Sequence, residues 1–468
     1  MTRGGRWRAF GVLALIEFLT VMDASIVNIA LPSIRDSLGF SIVTVAWIVD
    51  GYLIGLAGLM LVAGRITDRV GRRLLFLTGV VVFTGVSFVC AVAAEPWQLV
   101  FGRIGQGLGA AMAMPAAIAL ITDLFPEGPE RNRALGIFSG MAGVASPIGL
   151  VLGGLLSTVT WRWIFLINLP LGLVAVLAGL RLLPRGQRGD RNRVDLFGAV
   201  CLSGGLIALV LAVLRVGAPG SDALPNFVPF AVAAALLGAF AARQIRGRDP
   251  LIPPELLRSR PIMIGNAVFV LVGTCLLGTF FIMTVYLQHG RGLDPLAAAV
   301  AYLPVPLAMF AGTQLAPRLL RLGASDVLAG ALVLQAVALG TWAVLIQPQG
   351  NLILGFTFPS TVWALGLGVS IVCSFAVCTS GVPPRVSGAA SGLATTSYQG
   401  GGAIGLAVLA LVADRGASDA VAAAGLTAGY AAALWTACAI AALGAVGARL
   451  IARSGRTRID DGLRMPAG

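Results

Sequence analysis

Residues 10–33 read Phe10-Gly-Val-Leu-Ala-Leu-Ile-Glu17-Phe-Leu-Thr-Val-Met-Asp23-Ala-Ser-Ile-Val-Asn28-Ile-Ala-Leu-Pro32-Ser33. As a helix rising 1.5 Å per residue, this run is long enough to cross ~30 Å of hydrocarbon. It is apolar at all but a few positions, and one of those is an acid near its middle. An ionised Asp23 at that depth costs about 2.5–3.5 kcal/mol to insert. Such a residue is tolerated where it meets a partner or a cavity. A carboxyl able to hold either protonation state inside a membrane is what proton coupling requires. Asn28 lies five residues on, about 140° around the helix, and is a candidate cavity-facing donor. Glu17 is a second acid, nearer the start of the run.

The same kind of run recurs along the chain. Fourteen spans are expected, at about 10–33, 42–63, 74–94, 98–122, 134–159, 163–182, 196–215, 226–242, 262–287, 295–317, 326–346, 352–381, 388–412 and 426–450. Backbone groups in lipid must satisfy one another, so these runs are read as helices. They lack the alternation of outer-membrane strands. The 468 residues are 57% hydrophobic and 11% charged, with a mean hydropathy of +0.91. An average soluble domain carries roughly 25% charged residues. The fold class is therefore all-α and polytopic, with no polar stretch long enough for a separate soluble domain. The first run is too long for a signal h-region and carries an acid, so no cleavable signal peptide is expected. The six cysteines lie in or beside apolar runs without metal-ligand spacing. They read as small buried hydrophobes.

The net charge of +13 comes from arginine alone, since the chain has no lysine. Of the 33 arginines, 27 fall on one set of connections and five (Arg35, Arg162, Arg215, Arg291, Arg415) on the other, with Arg103 inside a span. By the positive-inside rule both termini are cytoplasmic. The basic charge thus reports topology, and nucleic acid is not expected as a partner. Arginine without lysine, with many Ala and Gly, suggests a GC-rich bacterial genome and hence the bacterial cytoplasmic membrane. A monomer is the default.

Four further stretches carry candidate chemistry. Span 2 opens Trp47-Ile-Val-Asp50-Gly-Tyr52, and Asp50 is either a second proton site or an acid at the interface. The loop Gly64-Arg-Ile-Thr-Asp68-Arg69-Val-Gly71-Arg72-Arg73 has the glycines of a tight turn and charges that can bridge helix ends as a gate. Asp123, at the end of span 4, is within plausible reach of Arg72. Span 4 contains Arg103-Ile-Gly-Gln106-Gly-Leu-Gly109. Arginine stays protonated, so Arg103 needs a buried carboxylate or carbonyl, with Asp23 or Glu17 as candidates. A dinucleotide-binding reading of these glycines fails, because no strand precedes them. Span 5 contains Pro147, Gly149, Gly153 and Gly154, which suit a bent, closely packed helix. No nucleophile–base pair, metal cluster or phosphate loop is evident, so no enzyme activity and no cofactor are expected.

An internal repeat is faintly legible. Arg69-Val70-Gly71 after span 2 recurs as Arg321-Leu322-Gly323 after span 10, 252 residues on. Two six-span bundles with two spans inserted between them would give this spacing. The organisation expected is residues 1–183, an insert at 184–261, and residues 262–468.

Taken together, these segments resemble the major facilitator superfamily, and within it the fourteen-span drug:proton antiporter family. The resemblance rests on Leu19 to Pro32, Gly64 to Arg73, Arg103 to Gly109, Trp161-Arg162-Trp163 through Asn168-Leu169-Pro170, and Gly388 to Gly405 with Gln399-Gly400-Gly401. It covers nearly the whole chain. It implies two six-helix bundles with the substrate cavity between them, and export of amphipathic drugs or antibiotics driven by inward proton flow. By position, Asp23 would be the coupling acid, assisted by Arg103, with Glu17 and Asp50 as further acids. Asp68, Arg72 and Asp123 would form a cytoplasmic charge relay at a turn built on Gly64 and Gly71. Asn28, Gln106 and Gln399 would line the substrate cavity. The span-5 motif departs from the family pattern: Leu150 follows Gly149, and a proline stands at Pro147 instead. That departure keeps a proton-coupled importer of the same fold as the alternative. Spans 9, 10, 12, 13 and 14 are expected to hold no acid, so Glu17, Asp23 and Asp50 would have to balance a cationic substrate.

Overall fold

A computed structural model describes residues 3–41, 44–56, 71–126, 129–184, 196–216, 223–246, 252–347, 349–382, 386–418 and 423–463. The fold is helical throughout these segments. The helices, in chain order, are α1 (Arg3–Leu38), α2 (Thr44–Leu56), α3 (Arg72–Ala91), α4 (Pro96–Leu124), α5 (Pro129–Ser157), α6 (Trp163–Leu182) and α7 (Leu196–Val216). They continue as α8 (Ala223–Arg246), α9 (Arg260–Gly290), α10 (Pro295–Leu322), α11 (Ala324–Leu345), α12 (Ile353–Thr379), α13 (Ser387–Ser418) and α14 (Ala423–Leu463). Among the described residues, ten helices are long and apolar enough to cross a membrane, and parts of α2, α5, α7 and α8 supply four shorter apolar stretches. Each of these helices falls on one of the spans read from the sequence, and a short helix at Pro254–Arg258 lies between two of them.

Local chemistry sets several of the helix starts. Pro96 opens α4 behind a Glu95/Gln98 capping box, which satisfies end N–H groups that have no intrahelical partner. Asp294 caps α10 by accepting from the N–H groups of Leu296 and Ala297. Large apolar side chains such as Val81, Phe101, Leu177, Val337 and Leu443 are more than half accessible. So much exposed apolar surface suits a lipid environment and would be a liability in water.

The chain divides into two compact units. Unit 1 comprises Met1–Leu251 and Phe280–Pro306, and unit 2 comprises Ile252–Thr279 and Leu307–Gly468. Helices α7 and α8 pack on each other within unit 1. Unit 1 also takes the end of α9 and the start of α10, a grouping that no reading of sequence order would give.

The faint repeat has a structural counterpart. Gly71 and Gly323 have φ of 100° and 102°, a region costly for other residues, and each caps the helix that follows it, α3 or α11. The same offset of 252 residues relates two further pairs. In unit 1, a Cβ on Gly149 would sit 2.7 Å from the Met22 carbonyl oxygen, and one on Gly153 would sit 2.9 Å from that of Ile26. In unit 2, Gly401 and Gly405 press in the same way on Val270 and Thr274. Helices α1 and α5, and likewise α9 and α13, approach closely because these positions carry no side chain.

One sequence expectation needs correction. Hydropathy ends span 13 at 412 and leaves it free of acids. Helix α13 continues to Ser418 without a break, so Asp414 lies within it, half-buried.

Candidate functional site

Asp23 on α1 has no exposed surface, and Arg103 on α4 is 1% exposed. Arg103 Nη1 donates to Asp23 Oδ2 at 2.5 Å and to Gln106 Oε1 at 2.8 Å, while its Nε donates to the Ile48 carbonyl at 2.9 Å. The guanidinium carbon lies 4.6 Å from the centre of the Tyr52 ring, a favourable placement for a desolvated cation. Of the two carboxylates considered for Arg103, the structure selects Asp23.

The other oxygen of Asp23 is also held. Asn168, at the start of the longer part of α6, donates from Nδ2 to Asp23 Oδ1 at 2.7 Å, and Gln106 Nε2 lies 3.4 Å from the same atom. Gln106 Nε2 also donates to Ser87 Oγ at 2.7 Å, and Ser87 in turn donates to the Phe83 carbonyl. Four helices, α1, α3, α4 and α6, thus converge on one carboxyl. Both Asp23 oxygens accept and Arg103 is permanently charged, so this arrangement is that of an ionised carboxylate.

The remaining expected residues distribute unevenly. Asp50 on α2 is fully buried and neither of its carboxyl oxygens has a hydrogen-bond partner among the described residues. The interfacial alternative for it is therefore not what the fold builds. Glu17 is 9% exposed with Oε2 unpartnered among the described residues. Asn28 is buried. Gln106, expected to line the substrate cavity, is instead fully buried within the Asp23 cluster, because helix rotation turns it with Arg103 toward α1 and α3. Gln399 is half-buried on α13 in unit 2.

At the arginine-rich end of unit 1, Arg72 pairs with Asp123 and Nη1 also donates to the Ala119 carbonyl. Arg73 Nη2 donates to the Leu180 carbonyl, so α3 is tied to both α4 and α6. Gly64 and Asp68 lie outside the described residues. In unit 2 the corresponding end of α11 is held by Arg449 Nη1 on Asp326 Oδ1 at 3.4 Å. Of the span-5 residues, Gly149 and Gly153 face α1, and Gly154 faces α10, where an added Cβ would sit 2.8 Å from Ala299 Cβ and 2.9 Å from the Pro295 oxygen. Pro147 lies inside α5 and is half-buried, and Ser146 beside it accepts from Ser25 Oγ at 3.0 Å. Gln288 Nε2 donates to the Ile29 carbonyl at 2.7 Å at the arginine-poor end of unit 1.

The repeat also shows what unit 2 lacks. Gly149 contacts Met22 where Gly401 contacts Val270, and Gly107 contacts Tyr52 where Gly368 contacts Met309. In that register Asp23 corresponds to Leu271 and Arg103 to Ala364. Unit 2 has no ion pair at these corresponding positions among the described residues.

Residues 13–406 match the Major Facilitator Superfamily. The chain is a member of that superfamily. Relatives of known name resemble it over most of their length. It is 36% identical over 411 residues to the cephamycin export protein CmcT of Amycolatopsis lactamdurans, covering 86% of this chain and 84% of that one. It is 35% identical over 459 residues to the puromycin resistance protein pur8 of Streptomyces alboniger, covering 94% and 90%. Among solved structures, an inward-facing bacterial homologue of the lysosomal transporter Spinster superposes with a TM-score of 0.66 over 100% of both chains at 17% identity. At that identity the likeness speaks for the superfamily fold alone.

The residue that sequence reasoning passed over is Asn168. It was visible only as part of the Trp161–Pro170 stretch. Nothing local to that stretch points to an acid 145 residues away.

Proposed function

We propose that this chain exports an amphipathic small molecule of the antibiotic class from the cytoplasm in exchange for protons, by alternating access. The observation that carries the reading is the fully buried Asp23 carboxyl held between Arg103 and Asn168. A buried carboxylate in a membrane helix is costly and serves as a functional site by default. The names of the relatives, which include cephamycin export, puromycin resistance and lincomycin resistance, favour export over import and supply the substrate class. The arginine distribution supports cytoplasmic termini, an orientation in the cytoplasmic membrane and fourteen crossings. The reading needs a proton gradient and no cofactor, and a monomer suffices.

The chemistry follows from the cluster. Protonation of Asp23 removes the negative charge that Arg103 faces, leaving the guanidinium with Gln106, the Ile48 carbonyl and the Tyr52 ring. The two protonation states therefore prefer different packings of α1 against α4, and a proton can shift the conformational equilibrium only through such a difference. Asp23 has no exposed surface here, so proton exchange belongs to another state of the cycle. Asp50 and Glu17 are further buried acids of unit 1 with carboxyl oxygens that have no hydrogen-bond partner among the described residues. They are assigned as additional proton-accepting groups or as the negative charge met by a cationic substrate.

Asp23→Asn is expected to abolish proton-driven efflux in everted vesicles while the protein still inserts in the membrane and purifies as a single species. Undiminished efflux by that variant would defeat the assignment.

A further inference from the structure

The buried cluster contains one polar atom that the ionised state does not use. Asn168 has no exposed surface, and while its Nδ2 donates to Asp23, its Oδ1 has no hydrogen-bond partner among the described residues. A buried acceptor left unpaired carries the full desolvation cost of that group, so its retention beside the coupling acid needs a reason.

The neighbouring groups supply it. Once Asp23 takes a proton, its new O–H must find an acceptor inside the cluster. Gln106 Oε1 is already occupied, accepting from Arg103 Nη1 at 2.8 Å and from Cys90 Sγ at 3.5 Å. Ser87 Oγ donates to the Phe83 carbonyl and accepts from Gln106. The Ile48 carbonyl accepts from Arg103 Nε. Among the described residues that bond to Asp23, only Asn168 has an acceptor to spare.

We infer that Asn168 is the positioning residue that serves both protonation states of Asp23, presenting its amide N–H to the carboxylate and, after a half-turn about Cβ–Cγ, its amide oxygen to the carboxylic acid. The step is a proton transfer and nothing more. A proton from water binds one oxygen of Asp23, the N–H···O⁻ bond from Asn168 is lost, and an O–H···O=C bond replaces it. Each orientation leaves one amide atom bonded to Asp23 and one idle, so the amide is close to balanced between them. A fixed donor would hold the carboxylate alone and oppose protonation. The charged and titratable groups around Asp23 are Glu17 on its own helix, Asp50 and Tyr52 on α2, Cys90 on α3 and Arg103 on α4. The segments of α5 and α6 packed against it add none. The inference rests on Asp23 being the coupling acid.

The test is infrared difference spectroscopy on the full chain in liposomes, stepping the pH with no substrate present. Asparagine is labelled with ¹³C at the side-chain amide. The expected result is a carboxylic-acid C=O band that Asp23→Asn removes, accompanied by a shift of one labelled asparagine amide band. In Asn168→Leu, which is close in size, that amide shift is lost, the acid band moves to the frequency of a free carbonyl, and proton uptake slows about tenfold or more, the equivalent of one charge-assisted hydrogen bond. Asn168→Gln, which keeps the amide, recovers part of the rate. If the acid band responds to pH while no labelled asparagine band moves, the adapter role is overturned and the coupling role of Asp23 stands. If the acid band persists in Asp23→Asn, the coupling role itself fails, and the inference with it. The labelled wild-type arm decides the matter even if Asn168→Leu does not fold.

Discussion

Removing both charges of the Asp23–Arg103 pair should damage the fold less than removing either one, and it should still leave transport dead. Arg103→Leu strips Asp23 of its cation and leaves the carboxylate, fully buried, with Asn168 and Gln106 as its donors. Breaking one side of a buried pair in this way costs about 3–5 kcal/mol. Asp23→Asn leaves the guanidinium with Gln106, the Ile48 carbonyl and the Tyr52 face. That partial satisfaction places the loss near the lower end, about 3 kcal/mol. The double variant carries no buried ion at this site. Its remaining costs are a poorer fit of the new side chain at position 103 and lost hydrogen bonds at Gln106 and Ile48, together about 2 kcal/mol. The two single losses then exceed the double by about 4 kcal/mol or more, a coupling far outside additivity. Denaturant unfolding of the four purified proteins in mixed micelles measures the cycle, and efflux from everted vesicles is recorded on the same set. Additive losses would show that the pair contributes no mutual stabilisation and that the cluster is misread. Restored proton-driven efflux in the double variant would show that the proton travels elsewhere.

Arg72→Ala is expected to lower turnover severalfold while substrate affinity stays within about twofold. Its ion pair with Asp123 is 36% and 48% exposed on the two sides, so the stability change stays below about 1 kcal/mol. Wild-type turnover, measured as drug-driven proton release, would mark the loop as an anchor only. Gly154→Val introduces a Cβ 2.8 Å from Ala299 Cβ. It should keep the start of α10 from seating on α5, and cross-linking between cysteines placed at 155 and 296 should fall relative to the parent. An unchanged cross-linking yield would mean that the contact is not needed for that state.

Some parts of this architecture are legible one residue at a time. Asp23, Arg103 and Asp50 stand out because a charged side chain in an apolar run is rare and costly. The Gly71 and Gly323 turns show in a short repeated motif, and the fold confirms them through matched positive φ values. Other parts are not legible in this way. Gln106 looks like a cavity donor from its position in span 4, and its burial in the cluster depends on how α4 is rotated against α1 and α3. Asp50 reads equally well as wet or buried until α2 is placed. Asp414 escapes notice because a helix end cannot be seen where hydropathy fades while the helix continues.

Hydropathy is a property of short segments in their solvent, so the chain alone determined that it lives in a bilayer and that it crosses as helices. The choice of partners is different in kind. That Arg103 meets Asp23 and not Glu17, that Asn168 closes on the same carboxyl, and that unit 2 places Leu271 and Ala364 where unit 1 has an ion pair were decided by tertiary structure. Those outcomes depend on the rotation and spacing of helices far apart in sequence. Side-chain-free contacts such as Gly149 and Gly153 on α1 set that geometry, and their effect emerges only when the two surfaces meet.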